Sequence, residues 1–219
     1  INQHESGSFP GFLDAWLAGF GMRPHLSVDF EAESAVVEAN RRAYGVAWPR
    51  LSFQDAKLIV SFGADFLQTW GMSVPKQLDF ADARADQDNS PRLIYVGPRR
   101  SLTGLNADQW IDCKPGSEMA IVLGLAGQLA VEATSQATGV SASVLDSFGK
   151  EFGLSKSTMV LAVGGGTDDF EFVVAVKALN QSRGNVGVPT KPHRGYLGLH
   201  RMAPPAGLGA RPGDTNRAR

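Results

Sequence analysis

Three short, almost continuous apolar runs, each closed by a glycine, constrain this chain more than any other feature. They are Lys57-Leu-Ile-Val-Ser-Phe62 before Gly63, Arg92-Leu-Ile-Tyr-Val96 before Gly97, and Thr158-Met-Val-Leu-Ala-Val163 before Gly164. A strand with one wet face alternates polar and apolar residues, whereas a strand covered on both faces does not. The runs therefore predict a parallel sheet. The repeated order of strand, glycine turn and helix predicts an α/β, Rossmann-like fold, mostly parallel, with helices on both faces. The pattern leaves the strand order open.

Helices are expected over residues 12–20, stopped by Gly21, and over residues 33–44, where Ala35, Val36, Val37, Ala39 and Ala43 oppose Glu38, Arg41 and Arg42. Asp65 reads as the cap of a helix carrying Phe66, Leu67 and Trp70. Ser117 reads as the cap of the most apolar helix, residues 119–133, expected to be buried almost all round. Two more helices are expected over residues 141–152 and from Asp168 and Asp169 to about Asn180. The acidic stretch 79–89 lacks periodicity and reads as a surface loop. Residues 1–190 read as the α/β domain, and residues 191–219 as a Pro/Gly/Arg-rich tail or linker.

Composition narrows the function classes. A length of 219 residues allows one large domain or two small ones, and 43% hydrophobic with 20% charged residues is ordinary for a globular protein. A net charge of −1, with scattered Arg and Lys, argues against nucleic-acid binding. The one cysteine, Cys113, excludes an internal disulfide framework and a Cys-only metal cluster within these residues. The longest apolar stretch, residues 119–130, contains Gly and Gln and falls short of a membrane span. The chain begins at Ile1 without an export signal, so its natural N-terminus is expected to lie upstream. His4, His25, His193 and His200 lack zinc-like spacing, there is no nucleophile elbow, and Cys113 reads as structural.

Four stretches have the residue types for ligand binding. Gly63-Ala-Asp65 follows a strand, where a tight turn exposes backbone N–H groups. Gly97-Pro-Arg-Arg-Ser101 sets two guanidinium groups at a strand end, suited to forking onto a phosphate. Lys114-Pro-Gly-Ser-Glu118 delivers the chain into a helix, where Ser117 and backbone N–H groups suit a phosphate and Glu118 suits amino groups. Gly164-Gly-Gly-Thr-Asp168 permits close backbone approach, but is neither a Walker loop nor a G-x-G-x-x-G fingerprint. Taken singly, the first three are equally an ordinary βα turn, a solvated basic loop and a helix cap.

Taken together and in order, these stretches resemble the molybdopterin oxidoreductase (dimethyl-sulfoxide-reductase) family. The resemblance rests on Phe53 to Trp70, on Leu93-Ile-Tyr-Val-Gly-Pro-Arg-Arg-Ser-Leu-Thr-Gly104, and on Ala107-Asp-Gln-Trp110. It continues through Lys114 to Glu118, Val163 to Gly166, and Ala178 to Gly187, spanning roughly residues 10–190. It is closest to the branch of alternative complex III and polysulfide-reductase-like complexes. Such a resemblance implies a bis(guanine dinucleotide) molybdopterin cofactor carrying molybdenum or tungsten, with one nucleotide arm held by loops at the strand ends. By position, the implied contacts are Gly63, Asp65, Pro98, Arg99, Ser101, Pro115, Gly116, Ser117 and Glu118, with the glycines at 164–166 nearer the pterin or a partner domain.

Two departures from the family pattern stand out. Gly97 replaces the usual acidic residue before the proline of the second loop, and no Cys or Ser stands in a recognisable metal-ligand motif. The implied reading is a fragment of an oxidoreductase in respiratory electron transfer, contributing no nucleophile, acid or base of its own. An iron–sulfur cluster would belong to other parts of the parent chain. The implied partners are the remaining domains of that chain and the iron–sulfur and membrane subunits of a respiratory complex, placing it in the periplasm or at the membrane through those partners. The alternative is a cofactor-free structural subunit of a quinol-oxidising membrane complex.

Overall fold

The computed structural model describes residues 2–3, 8–28, 33–86, 88–163 and 169–184, all within the unit Ile1–Gly187. The expected tail from residue 191, the glycines at 164–166, and His4, His193 and His200 lie outside the described residues. The chain begins with β1 (Asn2–Gln3), α1 (Phe9–Gly19), β2 (Ser27–Val28) and α2 (Glu33–Tyr44), then a 3-10 turn (Phe53–Asp55). There follow β3 (Leu58–Phe62), α3 (Ser73–Ala85), β4 (Arg92–Val96), α4 (Leu102–Leu105) and β5 (Gln109–Ile111). The last elements are α5 (Glu118–Leu125), α6 (Val131–Thr138), α7 (Ala142–Leu154), β6 (Thr158–Ala162) and α8 (Asp169–Ser182).

The three apolar runs are strands, and with β5 they form a four-stranded sheet in the order β5-β4-β3-β6, with every pairing parallel. All five residues of β3 are buried, as expected for a central strand covered on both faces by flanking helices. Strands β1 and β2 pair separately as a short parallel ribbon. The order has a functional corollary. The chain steps from β3 to β4 to β5 in one direction, then returns to the far side of β3 to lay down β6. The reversal makes a topological switch point between β3 and β6, and open α/β sheets offer their ligand crevice at the carboxyl ends of such strands.

Hydrogen-bonded polar side chains fix the layers. Asp108, within the Ala-Asp-Gln-Trp stretch, accepts the Leu93 N–H at 2.7 Å and a two-point contact from Arg84 of α3 at 2.8 Å. One carboxylate thereby ties α3 and β4 to the start of β5. Asn180 of α8 does similar work on the edge strand β6: its Oδ1 accepts the Val160 N–H at 3.0 Å, and its Nδ2 donates to the Val160 carbonyl at 2.7 Å. A side-chain amide there takes the place of a neighbouring strand. The core joins β3, β4 and β6 to Phe53, Phe66 and Phe80, whose rings meet tilted or edge to face at 5.0 to 5.8 Å between centroids.

Several expectations need correction. Residues 79–85 belong to α3 and do not form a loop; Phe80 and Ala83, three apart, bury one narrow stripe beneath an acidic surface. The long apolar helix over 119–133 is two helices, α5 and α6, parted by a turn in which Gly127 has φ +72°. Only Ile121 and Val122 of α5 are buried. No helix follows Asp65 directly: its carbonyl gathers the N–H groups of Gln68, Thr69 and Trp70 into one turn. Among the described residues, no helix is long and apolar enough to cross a membrane.

Candidate functional site

Because the four strands are parallel, their carboxyl ends share one edge of the sheet, and the loops at 63–70, 97–101 and 112–118 all leave from it. They are also stitched together there. The Gly63 N–H donates to the Val96 carbonyl at 3.0 Å, and the Gly97 N–H donates to the Ile111 carbonyl at 3.1 Å.

At the first loop, Gly63 has φ +68°, and a Cβ placed on it would come within 2.9 Å of Val163 Cγ1. This is the switch point itself. The last side chain of the β6 run fills the space beside Gly63, so a side chain there would be both strained and obstructed. Ser61 donates to the Ala64 carbonyl at 2.7 Å and fixes the turn from within. Asp65 is 8% exposed and points inward. Its Oδ1 accepts the Thr103 N–H at 2.9 Å and the Thr103 hydroxyl at 2.7 Å, while Thr103 Oγ1 also accepts the Leu67 N–H at 3.1 Å. Charge-assisted bonds of this kind are among the stronger ones in a protein interior. Asp65 is thus a clamp between the first two loops, not the cap of its own helix.

At the second loop, Pro98, Arg99 and Arg100 are exposed and Ser101 is buried. Ser101 caps α4 by accepting the Gly104 N–H at 3.3 Å. Burial raises the Tyr95 phenol above its ordinary range; a hydrogen bond with Ser101 and the nearby Arg99 oppose this, and the charges of Asp65 and Glu118 add to it. Arg100 lies 4.4 Å over the Trp110 ring, whose indole N–H donates to the Gly97 carbonyl at 2.8 Å. Of the two arginines, Arg100 is occupied, while Arg99 makes no ion pair among the described residues.

At the third loop, Ser117 does not cap its helix. Its hydroxyl donates to the Lys114 carbonyl at 2.6 Å, closing the Pro-Gly turn on itself. Gly116 has φ +78° and nothing within 4 Å of a Cβ position, so the turn faces open space. Pro115 is exposed and Glu118 half-buried, without an ion pair among the described residues. Cys113 is buried, and desolvation with the charges of Glu118 and Asp112 pushes its thiol up to about 11, against a hydrogen bond from Ser117. Such a thiol stays protonated at neutral pH and is a poor nucleophile or ligand.

The nine residues singled out by sequence therefore divide into two groups. Gly63, Asp65, Ser101 and Ser117 face inward or pack against neighbours. Pro98, Arg99, Pro115, Gly116 and Glu118 remain at the rim. Thr103, Tyr95 and Trp110 complete the edge, and their part in it was not foreseen. Thr103 pairs with an aspartate 38 positions away, which local sequence does not signal. The edge carries Arg99, Arg100 and Lys114 against Asp65, Asp112 and Glu118, so its formal charges balance. Among the described residues, no group of three or more His, Cys, Asp or Glu could hold a metal ion.

No protein-family model matches the chain. It is 24% identical over 127 residues to the menaquinone reductase, molybdopterin-binding-like subunit, of Nitratidesulfovibrio vulgaris (strain Hildenborough), a match covering 58% of this chain and 18% of that protein. Its structure superposes on acetylene hydratase from Pelobacter acetylenicus with a TM-score of 0.62 at 15% identity, covering 84% of this chain and 29% of that one. The second likeness concerns the fold alone. The chain thus spans under a fifth of the one relative and under a third of the other. In sequence the chain is thus similar to part of a molybdopterin-binding-like subunit, and in fold to part of a larger α/β enzyme.

Proposed function

We propose that the chain is the nucleotide-facing α/β portion of a molybdopterin oxidoreductase-type subunit working in respiratory electron transfer. The observation that carries this reading is the delivery of three glycine-bearing loops to one edge of a parallel sheet, with polar groups still free at the rim. The rim groups fit one arm of a guanine dinucleotide. Arg99 offers an unpaired guanidinium to a phosphate, Gly116 leaves room for close backbone approach, and Glu118 offers a carboxylate to the amino groups of a base edge. Asp65 with Thr103, Ser101 and Ser117 then act as positioning residues, holding the loops at fixed spacing. When bound, the molybdenum or tungsten pterin supplies two-electron redox chemistry, and the protein's part is to bind, orient and shield it. The partners on this reading are other subunits of a complex, in keeping with the word "subunit" in the relative's name.

One specific observation favours a second reading, a cofactor-free scaffold of the same fold. Asp65, Ser101 and Ser117 spend their polar groups on neighbouring loops, and the edge is electrically neutral, where a nucleotide diphosphate favours a positive field.

Metal and pterin analysis of the protein purified from its natural host separates the two. Molybdenum or tungsten with a guanine dinucleotide, lost on Arg99→Ala with the fold intact, supports the first reading. A preparation with neither metal nor pterin sinks it in favour of the scaffold.

A further inference from the structure

Helix α1 and the turn after it are apolar, and their largest side chains stay mostly uncovered in the described molecule. Phe12 is 64% exposed, Trp16 54% and Phe20 67%, and no residue of α1 is buried. Pro10, Leu13, Asp14 and Leu17 form one half-buried face, and the exposure takes up the rest of the circumference. Phe9, Phe12, Trp16 and Phe20 succeed one another along a bulky stripe, and Gly11, Ala15, Ala18 and Gly19 extend the exposed surface beside it with small residues. The segment is nonetheless folded back on itself: the His25 N–H and ring both bond Asp14 Oδ1, at 3.0 and 2.7 Å.

What would cover such a helix follows from its surface chemistry. A lipid headgroup layer favours a helix with a basic polar face, and α1 carries one charged residue, Asp14, already paired with His25. A second copy meeting it helix to helix would bury a single stripe. An exposed apolar surface wider than one such stripe, opposite a face already half-buried, suits enclosure within a larger fold. The two relatives supply a candidate of the right scale, since this chain matches 18% of one and 29% of the other.

We propose that α1 and its following turn form an internal interface, covered by the apolar surface of a further protein domain of a larger oxidoreductase-type subunit. This rests on the subunit reading above, but not on whether a cofactor is bound. The test is a photoreactive p-benzoylphenylalanine in place of Trp16, irradiated in the protein as its natural host assembles it, with cross-linked peptides mapped by mass spectrometry. The expected result is a cross-link within one polypeptide, to residues of the same subunit outside 1–219; a link to a different polypeptide would overturn the proposal. A link between two Trp16 sites, a lipid adduct, or reaction with solvent alone would each overturn the proposal.

A second readout guards against a purely local role. Trp16→Ser in the 219-residue chain should leave its thermal transition unchanged within about 2 °C, because the ring is more than half exposed and its aromatic neighbour, Phe20, is exposed as well. A fall of about 5 °C or more would show the face belongs to this fold, and would overturn the interface. Absence of metal and pterin combined with a cross-link to residues of the same subunit outside 1–219 would remove the cofactor reading and leave the interface standing.

Discussion

Helix α1 carries large apolar side chains and buries none of its residues, whereas α8 carries a lysine and an asparagine and buries both, Lys177 at 4% and Asn180 at 7% exposure. Composition alone ranks these helices the other way round. What decides burial is the surface opposite each helix. Helix α8 lies along β6 and against α2, and its polar groups are accepted because partners wait for them. Asn180 completes an edge strand, and the Lys177 ammonium sits 5.5 Å from the Tyr44 ring centroid. For the aromatic stripe of α1 the opposite surface is lacking among the described residues.

The two polar residues of α8 are not equivalent, and the largest expected effect exploits this. Asn180→Ala strips the partners from a buried N–H and a buried carbonyl of Val160 at once. Chemical denaturation should show a loss of about 3 kcal/mol, since each unsatisfied buried group costs roughly 1–3 kcal/mol. A loss near zero would mean that water or a shifted backbone replaces the amide, and α8 would no longer contrast with α1.

Lys177 has the opposite sign. It has no ion pair among the described residues, and desolvation lowers its ammonium from 10.5 to about 8. Lys177→Met keeps the packing stem and removes the charge, so stability at pH 7 should rise by about 2 kcal/mol. A fall would mean that the Tyr44 ring stabilises the cation by more than burial costs it.

The same groups set a pH dependence. The folded pKa of Lys177 lies below its unfolded value, so the unfolded chain binds more protons between about pH 8 and 10.5, and stability rises with pH across that window. Tyr44 is shifted up to about 12 by burial, against a hydrogen bond from Asn180, so stability contributed there is lost as pH climbs from 10 toward 12. Equilibrium unfolding followed against pH should therefore show a rise and then a fall, and Lys177→Met should erase the rise alone. The smallest effect belongs to α1: Phe12→Ser should change the stability of this chain by less than about 0.5 kcal/mol, a value ordinary for an exposed site.

The sequence disclosed the parts of the fold governed by short-range pattern. The runs ending at Phe62, Val96 and Val163 are strands because continuous β-branched and apolar residues suit only a sheet covered on both sides. Strand β5 escaped because Gln109-Trp-Ile111 is three residues long and half-buried, too short for a periodicity. Helix α3 escaped because its buried stripe consists of Phe80 and Ala83 amid acidic neighbours. In the candidate site, positions were legible and orientations were not. Gly63 and Gly116 announce turns, and both turn with positive φ. Whether Asp65 faces a ligand or the interior depends on Thr103, and whether Ser117 caps a helix depends on competition from the Lys114 carbonyl. Such choices rest on three-dimensional neighbours.

The amide of Asn180 also governs how this sheet can be extended. An edge strand with unpaired N–H and carbonyl groups invites another strand to add to it, in assembly or in aggregation. At β6 the invitation is withdrawn midway along the strand, at Val160. Growth is left to the opposite margin, beside β5, whose three residues offer a short template. Any partner that enlarges this sheet should therefore join next to Trp110, while one that approaches β6 must meet helix α8.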